Sequence, residues 1–152
     1  EMGAVKTGAL IVIQDDVGLS EYERTGIEVD ATLTRQLLIN IFEKNTPLHD
    51  GAVIVNENRV TFATCYLPLS DNKTLEKEYG TRHRAALGIS EKSDAFTIVV
   101  SEETGKVSYT KRGELTPDVT PEELTAALKE IQNEDFRKGG DPNDDEDKEP
   151  SV

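Results

Sequence analysis

Short apolar runs of strand length, set between segments with helical spacing, constrain this chain more than any other feature. Gly8 to Ile13 is a continuous apolar run of the kind that a buried strand needs. Ala52 to Asn56 and Arg59 to Tyr66 are strand-like, and Glu57-Asn58 between them predicts a hairpin. Phe96 to Ser101 and Lys106 to Lys111 form two more strands, joined by a turn through Thr104-Gly105. Arg35 to Lys44 carries Leu37, Leu38, Ile41 and Phe42 at helical spacing behind Thr34, a capping residue. Thr81 to Ser90 reads as a helix despite Gly88. Thr120-Pro121-Glu122-Glu123 is a capping box that opens a last helix with Leu124, Leu128 and Ile131. Strands interspersed with helices imply an α/β fold, a central mixed β-sheet flanked by α-helices, because the hairpins argue against an all-parallel sheet.

At 152 residues the chain supports one well-cored domain rather than two. The composition shifts after Phe136. Gly139-Gly140-Asp141-Pro142 leads into a run of acids with nothing apolar to bury, so residues 1–137 are expected to be the domain and 138–152 a disordered acidic tail. No apolar run approaches the roughly 20 residues of a membrane-spanning helix. No secretory signal is read either, and the Glu1 before Met2 reads as an appended residue with upstream sequence removed. The single cysteine, Cys65, lies in an apolar stretch, where it reads as a small buried residue and fits a reducing, cytoplasmic setting. A net charge of −13 argues against binding a long nucleic-acid backbone. It leaves room for a nucleotide, because exposed charges beyond roughly 8 Å are largely screened at physiological salt.

Three segments could carry chemistry. In Leu48-His49-Asp50-Gly51-Ala52, a carboxylate at a strand edge sits beside a glycine that lets substrate come close. Asp50 is a hard ligand for magnesium or manganese and could also deprotonate a hydroxyl, although Asp-Gly alone is also an ordinary turn. Gly80-Thr81-Arg82-His83-Arg84 opens a helix, where free N–H groups favour anions and cations are disfavoured by the dipole. Two arginines there make sense around an anion, or as surface partners of the abundant acids. Thr81 could cap that helix while also donating to a phosphate or ribose oxygen. Ser101-Glu102-Glu103-Thr104-Gly105 ends an apolar strand with acids and hydroxyls, and reads either as a metal and phosphate site or as a polar hairpin. There is no GxxxxGK[ST] loop, no GxGxxG after a strand and no paired-cysteine metal motif.

Taken together, these segments resemble the diadenylate cyclase domain family. The likeness rests on Asn45 to Ile54, Cys65 to Ser70, Gly80 to Glu91 and Ile98 to Gly105, and covers about Thr7 to Lys111. The hallmark Asp-Gly-Ala and Arg-His-Arg motifs are intact and in order. The type most resembled is membrane-anchored, with transmembrane helices ahead of a cytoplasmic domain. The resemblance implies that two ATP molecules condense to cyclic di-AMP and two pyrophosphates. It implies Asp50, Arg82, His83 and Arg84 as catalytic residues, and Gly51, Ala52, Tyr66, Leu67, Thr81, Ser101 and Glu102 as substrate-binding ones. It further implies a divalent metal, Mg2+ or Mn2+, on Asp50 and Glu103, with His49 as a further candidate. The two-fold symmetry of the product implies a face-to-face homodimer, each protomer holding one ATP. Two rival readings remain: a non-catalytic adenine-nucleotide sensor, and a scaffold that recruits a basic partner through its acidic tail.

Overall fold

The computed structural model describes residues 7–73 and 79–139. These residues form two compact units, one ending at Asp118 and the other starting at Val119. The first unit is built on seven strands: β1 (Ala9–Ile13), β2 (Ile27–Thr32), β3 (Ala52–Asn56), β4 (Arg59–Cys65), β5 (Phe96–Val100), β6 (Val107–Lys111) and β7 (Glu114–Thr116). They lie in the order β2-β4-β3-β1-β5-β6-β7. Only β1 and β3 run parallel, with Ile11 opposite Val53; the other neighbours are antiparallel. The expected mixed sheet is therefore present.

Side chains alternate along β1 as the pleat requires. Leu10 and Val12 join Ala52, Ile54 and Val99 in one core, while Ala9 and Ile11 join Val53, Val55 and Val100 in the other. Among the described residues, three helices accompany the sheet: α1 (Ser20–Glu23), α2 (Arg35–Ile41) and α3 (Thr81–Lys92). Helix α3 adds Ala85, Ala86 and Ile89 to the first core. It is also pinned to β6, where the Thr110 hydroxyl donates to the Ala86 carbonyl at 2.9 Å. Ile41 of α2, with Phe42 beyond it, covers the second core. The Thr34 cap forms as expected, its hydroxyl accepting the Leu37 N–H at 3.1 Å.

Helix α1, strand β2 and strand β7 were not anticipated. Strand β2 does carry a period-2 signal in Ile27, Val29 and Ala31. Among the described residues it pairs with β4 alone, through a register shift, and its apolar face is only partly buried. The second unit contains α4 (Pro121–Gly139). Its capping box closes reciprocally: the Glu123 N–H donates to Thr120 Oγ1 at 3.1 Å, and the Thr120 N–H donates to Glu123 Oε1 at 3.2 Å. The expected acidic tail lies outside the described residues beyond residue 139. Among the described residues, no helix is long and apolar enough to cross a membrane.

Candidate active site

A cavity of about 890 Å³ opens at one end of the sheet. It lies beside the N-terminal ends of the parallel pair β1 and β3, where β4 and β5 finish and β6 begins. Its lining brings together His49, Asp50 and Gly51, then Cys65, Tyr66 and Leu67, then Thr81, Arg82 and His83, and finally Ser101 to Thr104. All three segments singled out from the sequence thus meet in one place. Two expected residues do not line it. Ala52 is fully buried in the sheet core. Arg84, one helical step beyond His83, is absent from the lining, and its carbonyl accepts the Ser70 N–H at 3.0 Å.

The loop before β3 sets the acidic corner. Gly51 has φ +77°, and a Cβ there would stand 2.8 Å from the Cys65 carbonyl oxygen. Only glycine lets the Asp50-Gly51 peptide lie against the end of β4 in this left-handed conformation. His49 Nδ1 donates to the Thr46 carbonyl at 2.8 Å, because a carbonyl oxygen can only accept. Nε2 then faces Asp50 Oδ1 at 3.3 Å. Either Nε2 is protonated and donates to Asp50, or its lone pair and the carboxylate both face a position suited to a cation. A ring whose other nitrogen donates to a backbone carbonyl is the usual posture of a metal-ligating histidine. The 3.3 Å separation is close to the about 3 Å between adjacent ligands of an octahedral magnesium ion. His49 and Asp50 therefore fit a divalent metal. Glu103 lines the same cavity. Among the described residues, however, the set of three ligand atoms within 4.8 Å of one another is Asp15, Asp16 and Asp94, beyond the other end of β1. That set is occupied structurally. Asp94 accepts the Asp16 and Val17 N–H groups, and Lys111 pairs with Asp15 at 3.4 Å.

Helix α3 brings the basic corner. Gly80 is its N-cap and makes no side-chain cap bond, so Thr81 is the first helical residue and not the cap expected from the sequence. The helix N–H groups and the exposed Thr81 hydroxyl face an end lined by Arg82 and His83. Arg82 Nη1 lies 3.4 Å from Glu102 Oε2, while its buried Nε has no partner. His83 is buried and packs against Tyr79 in a tilted ring pair, with centroids 4.7 Å apart and planes 32° from parallel. Burial and, next, the Arg82 charge push the imidazole below its ordinary value, against a smaller opposing pull from Asp118 and Glu103. His83 is thus favoured in the neutral form.

The third corner is a tight turn. Ser101 Oγ accepts the N–H groups of Glu103 and Thr104, at 3.2 and 3.3 Å, and its hydroxyl proton is still available to a ligand. Tyr79, Lys106 and Asp118 also line the cavity and were missed from the sequence, Lys106 and Asp118 being paired at 3.6 Å. Tyr79 directly precedes the glycine that opens the basic helix, a position that could have drawn attention to it.

Fold and cavity define an α/β domain in which a basic helix start and two acidic loops meet in one cavity where several strand ends converge. A family described as DisA bacterial checkpoint controller nucleotide-binding matches residues 1–115, and the chain belongs to this family, the diadenylate cyclase (DAC) domain. It is similar to a protein of Listeria monocytogenes serotype 1/2a (strain 10403S) named diadenylate cyclase, with 58% identity over 127 residues, 84% of this chain and 46% of that protein. It is similar also to cyclic di-AMP synthase CdaA of Bacillus subtilis (strain 168), with 52% identity over 137 residues, 90% of this chain and 49% of the relative. The chain spans about half the length of these curated relatives. A crystal structure of a double-cysteine mutant of DacA from Staphylococcus aureus superposes with a TM-score of 0.83 at 49% identity, covering 85% of this chain and 86% of that one. A Bacillus cereus structure described as a hypothetical membrane spanning protein gives a TM-score of 0.75 at 46% identity, over 78% of this chain and 58% of the other.

Proposed function

We infer that this chain is the catalytic domain of a diadenylate cyclase, condensing two ATP molecules into cyclic di-AMP and two pyrophosphates. The observation that carries the reading is the convergence of His49-Asp50-Gly51, Tyr66-Leu67, Thr81-Arg82-His83 and Ser101-Glu102-Glu103 on one nucleotide-sized cavity. The names of the Listeria and Bacillus relatives support it.

In the proposed reaction, the ribose 3′-oxygen of each ATP bonds to the α-phosphorus of the other. The bond from that phosphorus to the β-phosphate bridging oxygen breaks, and pyrophosphate leaves. Asp50, exposed at the cavity edge, takes the 3′-hydroxyl proton. Arg82 and the first N–H groups of α3 hold phosphate oxygens, with Thr81 and Ser101 as hydroxyl donors. Tyr66 and Leu67 form the wall for the base, and neutral His83 donates or accepts a hydrogen bond without adding charge. Arg84 is assigned a supporting role, because its carbonyl holds Ser70 and it lies off the lining. His49 and Asp50 would hold a divalent metal, with Glu103 as a third ligand. Such an ion supplies charge neutralisation of the triphosphate.

One protomer with one ATP cannot close a two-fold ring, so the active species is a face-to-face dimer. The full-length protein is anchored in a membrane by sequence outside this chain, in keeping with the description of the Bacillus cereus neighbour. The test is incubation with ATP and Mg2+ or Mn2+, with products separated by chromatography. Cyclic di-AMP and pyrophosphate in a one-to-two ratio support the reading, and ATP binding without product favours the sensor. Specific activity should fall on dilution, and constant activity far below the dimer's dissociation constant contradicts the dimer.

A further inference from the structure

Strand β4 loses its regular geometry just before it reaches the cavity. Thr64 has φ 52°, a left-handed conformation that is a genuine outlier for a β-branched residue. The consequence shows in the packing. Residues two apart on an uninterrupted strand share a face, yet Ala63 belongs to one core and Cys65 to the other. Beyond the kink, Ala52–Cys65 is the last pair in the ladder with β3, so the wall residue Tyr66 leaves the sheet. Tyr66 is 68% exposed, so little packing fixes the ring, and its direction follows from the backbone.

That backbone is held from outside the cavity. The Tyr66 N–H donates to Thr25 Oγ1 at 2.8 Å, and the Thr25 hydroxyl donates in turn to the Tyr22 carbonyl at 2.6 Å. The hydroxyl proton is committed to Tyr22, so a lone pair is aimed at Tyr66, and the two bonds polarise each other. Tyr22 packs against the core, which makes it a firm anchor. Gly26 allows the approach, since a Cβ there would stand 2.5 Å from both the Ala63 carbonyl oxygen and Cys65 Sγ.

We propose that Thr25, outside the cavity lining, is a positioning residue for the nucleotide base: its hydroxyl holds the strained Thr64–Tyr66 turn and so sets the base-facing wall. The inference rests on the nucleotide reading above, and its test separates the two. Binding of α,β-methylene ATP and of inorganic tripolyphosphate is measured by calorimetry for the parent, Thr25→Val and Thr25→Ser. Valine keeps the shape without the acceptor, and serine restores it. Thr25→Val should weaken the nucleotide about five-fold, the scale of one hydrogen bond, and leave tripolyphosphate unchanged. Thr25→Ser should bind like the parent, and all three should melt within a few degrees of one another, because water can reach the Tyr66 N–H at this exposed site. Equal nucleotide binding by Thr25→Val overturns the proposal while the nucleotide reading stands. Equal weakening of both ligands, or a lowered melting point that serine does not restore, makes Thr25 merely structural and also overturns it. A parent that binds no nucleotide removes both readings.

Discussion

Gly88 of α3 lies directly beneath Pro68, so close that a Cβ on the glycine would stand 2.7 Å from the Pro68 carbonyl carbon and closer still to its oxygen. The contact joins the helix that carries Arg82 and His83 to the segment that follows Tyr66 and Leu67. A second tie lies one turn away, where the Ser70 N–H donates to the Arg84 carbonyl at 3.0 Å and Ser70 Oγ donates to Glu91 at 3.1 Å.

Gly88→Ala therefore forces backbone apart at a buried position. Overpacking of this kind costs about 1–3 kcal/mol, and the melting temperature should fall by several degrees in calorimetry. An unchanged melting temperature would mean that the helix and the 68–70 segment separate freely.

Stability should depend on pH through His83. Its folded value lies below the ordinary one of about 6.5, so the unfolded chain binds the proton first. The contribution is fully present above about pH 6.5 and is lost as the pH falls through the depressed folded value. Urea titrations at about pH 7.5 and about pH 5.5 should show a smaller loss on acidification for His83→Gln than for the parent. Equal losses would contradict the burial argument.

Cys65 is 1% exposed, and burial, followed by the Glu23 charge, pushes its thiol up to about 12. Thiolate is the form that iodoacetamide attacks. Labelling of the folded protein at mildly alkaline pH should be on the order of a thousand-fold slower than in denaturant. Rapid native labelling would show that the end of β4 opens easily.

Removing Gly139 to Val152 should leave turnover per protomer within two-fold or so, since the domain is taken to end near residue 137 and no proposed catalytic group lies beyond Asp118. A large loss would give the acidic segment a part in activity and revive the scaffold reading.

Much of this arrangement was legible in the residues, and the gaps have physical causes. Strands β1, β3 and β5 are apolar because both faces of the sheet's middle are covered, and such runs stand out. Strand β2 lies at an edge, half wet, and its alternation is too weak to stand out. Helix α1 is a single turn that sets only Tyr22 partly against the core, so no apolar period marks it. The site segments were readable as motifs. The facing of His49 Nε2 toward Asp50, the tilted ring contact of Tyr79 with His83 and the reach of Thr25 to Tyr66 were not. Each joins groups by the path of the backbone, and Thr25 and Tyr66 are 41 residues apart. Arg84 shows the converse. The motif makes it look equivalent to Arg82, but two helical steps rotate it by about 200° and off the lining.

The most direct test of the central claim is the Asp50→Asn variant, assayed with ATP and Mn2+ beside the parent. The Asp50 side chain is 75% exposed, so its loss should leave the melting temperature unchanged. The account predicts cyclic di-AMP from the parent and at least about a hundred-fold less from the folded variant. Synthesis by Asp50→Asn at the parental rate would contradict it.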